Sequence, residues 1–178
     1  QRSISHISDD SRTVAPGGAF AALKGQHVDG ERFLGDALTR GACVALTHSA
    51  ANTTLGALGG HDACLIRVAD PAAALSAAAA LVAGEPSRRL RVVGVTGTAG
   101  KSTTCCMIHD LLGALGTPAG LISTSGVDTG SGVAPNRIHV TTPPAPLTHR
   151  LLAEMVAADL DAAVVEASSH GLSIQTRR

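Results

Sequence analysis

The segment Gly94-Val95-Thr96-Gly97-Thr98-Ala99-Gly100-Lys101-Ser102-Thr103 constrains this chain more than any other. It follows an apolar run, residues 90–96, and leads into a stretch of helical composition, residues 101–115. A glycine-rich turn between a buried strand and a helix lets main-chain N–H groups converge on one point, where they suit phosphate oxygens. A lysine at the helix start adds a positive charge for the β and γ phosphates, and the hydroxyl after it suits Mg²⁺. The spacing is a variant, because the general pattern puts glycine where Val95 stands. The nearest glycines are Gly94 and Gly97. A solvated lysine in an ordinary strand–helix turn is the bland alternative, and it leaves the coincidence of lysine, hydroxyl and strand context unexplained. Gly97, Thr98, Ala99, Gly100, Lys101, Ser102 and Thr103 are therefore the candidate nucleotide contacts.

Composition narrows the partners. Fourteen basic residues balance fourteen acidic ones, so nothing points to nucleic acid or an acidic membrane surface. At 44% hydrophobic and 16% charged residues the chain reads as folded rather than disordered. Phe20 and Phe33 are its only aromatic residues. A bound base would therefore rest on amides, arginine planes and aliphatic groups. Cys43, Cys64, Cys105 and Cys106 lack zinc-type spacing. Cys43 and Cys64 sit in apolar strand-like runs and read as small hydrophobes. The start has no apolar signal core, and no window approaches the roughly 20 apolar residues of a membrane span. A reduced, cytoplasmic protein is expected.

Two α/β domains are expected, 1–88 and 89–178, meeting near Glu85-Pro86-Ser87-Arg88-Arg89. In the first, strands are expected at 19–23, 43–47 and 64–68, with helices at 31–40 and 70–83. The second helix has Asp70 to cap it, Pro71 at its first position and Gly84 beyond its end. Residues 49–60 read as a surface loop. In the second domain, strands at 90–96, 119–123 and 161–167 alternate with helices at 101–115 and 146–159, and 124–136 reads as a loop or weak hairpin. Strands without alternation, separated by helices, predict parallel sheets covered on both faces.

Several motifs, in this order, resemble the Mur ligase family, whose members build the peptide of bacterial cell-wall precursors. Gly97-Thr98-Ala99-Gly100-Lys101-Ser102-Thr103 is similar to its ATP loop, with Ala99 where the family usually has Asn and Ser102 for Thr. Asp10-Ser11-Arg12, Pro16-Gly17-Gly18-Ala19-Phe20 and Gly25-Gln26-His27-Val28-Asp29-Gly30 resemble the first domain of its tripeptide-forming branch. Thr141-Thr142-Pro143 resembles the substrate loop, and Glu166-Ala167-Ser168-Ser169-His170-Gly171-Leu172 a motif of the same branch.

The resemblance implies a small N-terminal α/β nucleotide-sugar domain followed by the first half of a P-loop parallel-sheet ATPase domain. It implies an ATP-dependent ligase that adds the third amino acid to UDP-N-acetylmuramoyl-L-alanyl-D-glutamate through an acyl phosphate, with ATP and Mg²⁺. Lys101 and Glu166 are the implied catalytic groups, and Ser102 with Glu166 the implied metal ligands. Ser11, Gln26, His27, Val28, Thr141, Thr142, Ser168, Gln175 and Arg177 are the implied substrate contacts, the last two lying one residue later than in the family pattern. The partners are UDP-N-acetylmuramoyl-dipeptide and an amino acid, with no nucleic acid and no membrane. His170 reads as a structural loop residue. Family members continue with further ATPase and amino-acid-binding parts, so the 178 residues are expected to behave as an N-terminal portion that does not complete the ligation. The dipeptide-adding branch and a non-catalytic UDP-muramoyl or ATP-binding module are the alternatives. A small kinase would have no use for a nucleotide-sugar domain ahead of its phosphate loop.

Overall fold

The computed structural model describes residues 4–25, 28–49, 63–136 and 141–168. The chain divides into two units, residues 1–82 and 83–177, and each carries its own four-stranded sheet.

In the first unit, β1 (Ile7–Ser8), β2 (Ala19–Ala21), β3 (Val44–Thr47) and β4 (Cys64–Arg67) pair in sequence order, all parallel. Successive side chains of a strand point to opposite faces, and the two faces find different helices. Phe20, Ala22 and Ala45 pack with Leu34, Ala37 and Leu38 of α1 (Leu34–Thr39). Ile7, Ala19, Ala21 and Leu46 pack with Leu75 and Ala79 of α2 (Pro71–Val82). Both faces of β2 and β3 are therefore dry, which is why these strands read as unbroken apolar runs. The end signals of α2 hold. Asp70 Oδ1 accepts from the amides of Ala72 and Ala73, each at 3.0 Å, and Gly84 takes a φ of +78°.

The helix expected over 31–40 is shorter. Gly30–Phe33 forms a 3-10 turn, and α1 begins only at Leu34. Asp29 caps that turn by accepting from the Glu31 amide at 3.0 Å, but the Glu31 side chain leaves the helix for β3. One of its oxygens, Oε1, accepts from the Thr47 hydroxyl and from the amides of His48 (3.0 Å) and Ser49 (2.8 Å). The His48 ring lies between the two acids, 3.3 Å from an oxygen of each. The clasp anchors a tight reversal of the chain: Lys24 bridges Asp29, Gly25 donates to Val28 O, and Gly30 donates to Leu23 O at 2.8 Å. A Cβ on Gly30 would lie 2.6 Å from the Leu23 carbonyl oxygen. The backbone approach there requires glycine.

The thiol expectation for Cys64 is corrected. Cys64 and Ile66 are exposed because β4 is an edge strand, with Leu65 on the face that packs against the α1 cluster. Cys43 is half-buried, and its Sγ donates to Gly18 O at 3.5 Å. The loop expected over 49–60 lies outside the described residues, apart from Ser49.

In the second unit the order is β5 (Arg91–Val95), β8 (Ala162–Glu166), β6 (Ala119–Ile122), β7 (Val127–Asp128). β5, β8 and β6 are parallel, and β7 folds back antiparallel on β6. Leu121 and Val164 face Cys105 of α3 (Lys101–Ala114). Ile122 and Ala163 face Leu151, Leu152 and Met155 of α4 (Ala145–Ala157). The expectation of a sheet covered on both faces thus holds for its centre. It fails at β5, where Arg91, Val92 and Gly94 are exposed, because β5 is an edge. The weak hairpin reading of 124–136 resolves into β7 and a bridge from Val127 to Ala134. Asp128 Oδ1 ties its turn by accepting from the amides of Gly130 (2.8 Å) and Gly132 (3.1 Å).

Burial alone would raise the Glu31 pKa, but the hydrogen bonds from Ser49, Thr47 and His48 outweigh it and bring it down to about 2, from an ordinary 4.5. A carboxyl depressed on folding stabilises fully above its unfolded pKa and loses that contribution as pH falls through the folded value. The clasp should therefore act in full above about pH 5 and fade as the pH approaches 2. Glu31→Ala should cost about 2 kcal/mol at neutral pH by urea denaturation. The gap between variant and parent should close as the titration is repeated toward pH 2.

Candidate phosphate-loop site

β5 delivers the chain to the glycine turn at the carboxyl end of the sheet, the edge where open α/β sheets bind ligands. Residues 96–100 are exposed. Gly100 takes a φ of +77° immediately before α3, a conformation that costs any residue with a Cβ and so makes glycine the fitting one. α3 then starts with Lys101 and Ser102, so its free first-turn amides and the positive end of its dipole face the turn. Lys101 Nζ donates to Gly97 O at 2.9 Å, arching over the loop. Thr103 is exposed on the same first turn.

The strand order explains what faces this turn. β8 lies between β5 and β6, and Glu166, its last residue, pairs with Val95. Glu166 is 1% exposed, and burying an ionised carboxylate requires donors. Among the described residues Ser102 Oγ donates to Oε1 at 3.0 Å, while Ser123 Oγ (2.7 Å) and the Thr124 amide (2.8 Å) donate to Oε2, and the Thr124 side chain adds a further hydrogen bond. Burial pushes its pKa up, and these hydrogen bonds, led by Ser123, bring it below the ordinary carboxylate value. The group is held ionised.

The donor set fits magnesium. Neighbouring ligands on an octahedral Mg²⁺ with metal–oxygen distances of 2.0–2.1 Å stand about 2.9 Å apart, close to the 3.0 Å between Ser102 Oγ and Glu166 Oε1. Both are hard oxygen ligands, as that ion prefers.

The substrate candidates divide. Thr142 and Ser168 meet: Ser168 N donates to Thr142 Oγ1 at 2.8 Å, and their hydroxyls are 3.1 Å apart. Ser168 lies two residues beyond Glu166, and the Ala167 amide between them donates to Val95 O at 2.9 Å. Thr141 is half-buried beside Thr142, ahead of the buried Pro143. In the first unit Ser11 is buried at the start of a 3-10 turn, Ser11–Thr13, and its hydroxyl bonds Asp36, the leading cause of that carboxyl's lowered pKa. Asp10 caps the turn and pairs with exposed Arg12 at 2.8 Å. Val28 is exposed, in the reversal secured by the Glu31 clasp. Gln26, His27, His170, Gln175 and Arg177 lie outside the described residues.

Sequence reading missed Ser123, Thr124 and the Glu31–Thr47–His48 clasp. The first two carried a usable signal, since they close a buried parallel strand at its carboxyl end. Glu31 carried none, because it reads as an exposed helical residue. The vicinal cysteines also differ in setting. Cys105 is fully buried, and burial, with the charge of Glu166, pushes its thiol up to about 11. Cys106 is half-buried, its Sγ 3.1 Å from Ser125 Oγ.

A glycine turn joining a parallel strand to a helix that opens on Lys-Ser, opposite a carboxylate ending the adjacent strand, defines a P-loop α/β protein. Two family models divide the chain between them: Mur ligase family, catalytic domain, matches residues 3–96, and Mur ligase middle domain matches residues 95–177. The chain belongs to the Mur ligase family. It is 44% identical over 175 residues to a UDP-N-acetylmuramyl-tripeptide synthetase of Treponema pallidum, an alignment covering 98% of this chain and 32% of that protein. It is 40% identical over 176 residues to the synthetase of that name in Deinococcus radiodurans, covering 98% and 35%. Among solved structures, a UDP-N-acetylmuramoyl-L-alanyl-D-glutamate–2,6-diaminopimelate ligase superposes with a TM-score of 0.74 at 25% identity, over 97% of this chain and 33% of that one. The chain thus spans about a third of the length of these relatives. Among the described residues no helix is long and apolar enough to cross a membrane.

Removing the carboxylate would strand the hydroxyls of Ser102 and Ser123 and the Thr124 amide around an apolar void. Glu166→Ala should therefore destabilise the chain by about 2–3 kcal/mol in urea denaturation. A loss under half a kilocalorie would show that water already serves those donors.

Proposed function

We propose that this chain holds the ATP and UDP-muramoyl sites of an ATP-dependent ligase, acting on UDP-N-acetylmuramoyl-L-alanyl-D-glutamate to add the third amino acid through an acyl phosphate. One observation carries the reading: Lys101 and Ser102 open a helix within hydrogen-bond reach of a carboxylate 64 residues away in sequence. The tripeptide-synthetase names of the relatives support the substrate assignment. Residues 1–88 take the nucleotide-sugar role and 89–178 the ATP role.

In this reading the protein positions reactants and neutralises charge rather than supplying a nucleophile. The amides of residues 97–103 would cradle the phosphates, and the Lys101 ammonium, which rests on Gly97 O, would neutralise their charge. Ser102 and Glu166 would hold Mg²⁺, which would supply positive charge to offset that of the phosphates and the substrate carboxylate. Thr142 and Ser168 present paired hydroxyls to the substrate, with Thr141 next to them, and Gln175 and Arg177 are assigned to substrate by the family pattern alone. Ser11, Gln26, His27 and Val28 are assigned to the UDP pocket of the first unit. The balanced charge and free thiols agree with a cytoplasmic setting for peptidoglycan-precursor chemistry.

Calorimetry tests the two sites separately. Lys101→Ala should weaken MgATP binding at least tenfold, the loss of one charge-assisted contact, and leave UDP-muramoyl-dipeptide binding unchanged. Ser11→Ala should do the reverse. If the parent chain binds neither ligand, or if Lys101→Ala binds MgATP normally, the assignment fails.

A further inference from the structure

Ser123 belongs to none of the motifs that identify the family, yet it makes the shortest contact to Glu166. We propose that Ser123 is a positioning residue for the metal-binding carboxylate. It fixes the plane of the Glu166 carboxylate, so that one oxygen stays aimed at Ser102. The inference rests on the nucleotide reading above and adds to it a residue that touches neither nucleotide nor metal.

The argument begins with topology. Val165 pairs with Ile122, the last residue of β6, so the next residue on each strand lies side by side at the carboxyl edge. Those residues are Glu166 and Ser123, 1% and 0% exposed. Ser123 donates to Glu166 Oε2 at 2.7 Å, and the Thr124 amide donates to the same oxygen at 2.8 Å. The Ser123 hydroxyl is itself oriented. Ser125 N donates to Ser123 Oγ at 3.3 Å, and the Ser125 hydroxyl lies 3.0 Å from it. The main chain is pinned as well, since Asn136 Nδ2 donates to Ser123 O at 2.7 Å.

The terminal torsion of a glutamate is broad and its two oxygens are equivalent, so what must be fixed from outside is the plane of the carboxylate. The Ser123 hydroxyl and the Thr124 amide, both on one oxygen, fix that plane and leave the other oxygen toward Ser102 at 3.0 Å. Outer partners of this kind orient metal ligands, and their loss characteristically lowers metal affinity rather than removing the site. Alanine at 123 would leave Oε2 to Thr124 and hold the carboxylate plane less firmly. Threonine would keep the donated proton.

The test is ATP binding to the chain, followed by calorimetry over a Mg²⁺ series and again in EDTA, for the parent, Ser123→Ala and Ser123→Thr. Ser123→Ala should need about tenfold more Mg²⁺ to reach half of its metal-dependent gain in ATP affinity. Its affinity in EDTA should match the parent's, and Ser123→Thr should move back toward the parent. An unchanged Mg²⁺ requirement in Ser123→Ala overturns the proposal. So does an equal loss with and without metal, which marks a general loss of structure, or a threonine variant no better than alanine, which marks packing. A parent chain that binds no MgATP removes the nucleotide reading and this inference together. Normal parent binding with any of the other adverse results removes the inference alone.

Discussion

The second unit is organised around a single desolvated negative charge. Glu166 sits at 1% exposure at the end of the central strand, and an ionised carboxylate there is tolerable only because donors from both neighbouring strands' ends reach it. Ser102 comes from the helix after β5, and Ser123 and Thr124 come from the turn after β6. Each donor is delivered by the carboxyl end of a neighbouring strand, so the strand order β5-β8-β6 and the solvation of Glu166 are one requirement. A change of order would separate the glycine turn from the acid and leave the charge unpaired.

The same carboxylate connects stability with chemistry. A group held ionised, with one oxygen on Ser123 and Thr124 and the other aimed at a hydroxyl on the first turn of a helix, matches the proposed magnesium site in ligand type and spacing. In that proposal little reorganisation would be needed on binding, as in preorganised electrostatic sites. The first unit applies the same device elsewhere. Glu31 gathers Thr47, His48 and Ser49 and thereby fixes the reversal that carries Val28. In both units a partly or fully buried acid, rather than apolar packing, sets the shape of the segment assigned to ligand.

The two edges show how neighbours override composition. Residues 90–96 read as a buried strand, and 64–68 as another. Yet Val92 and Ile66 are both 43% exposed, because β5 and β4 stand at the edges of their sheets. Hydrophobicity along one strand cannot report which strands lie beside it. Conversely, β1 and β7, two residues each, are too short for any periodic signal and exist only because a neighbour completes their hydrogen bonds.

From local chemistry alone the sequence determined the glycine turn, the boundaries of α2, the helix after the turn and the alternating α/β pattern. A left-handed glycine, an Asp cap and a proline at a helix start act on adjacent residues, so they are legible without knowing the fold. The carboxylate at the end of a buried strand was legible as well, from its position. The tertiary structure alone decided the partners of that carboxylate, the meeting of Thr142 with Ser168, and the clasp from Glu31 to β3. Those contacts join residues 64, 43, 26 and 16 positions apart, and the register that unites them is set by strand order, which no local segment encodes.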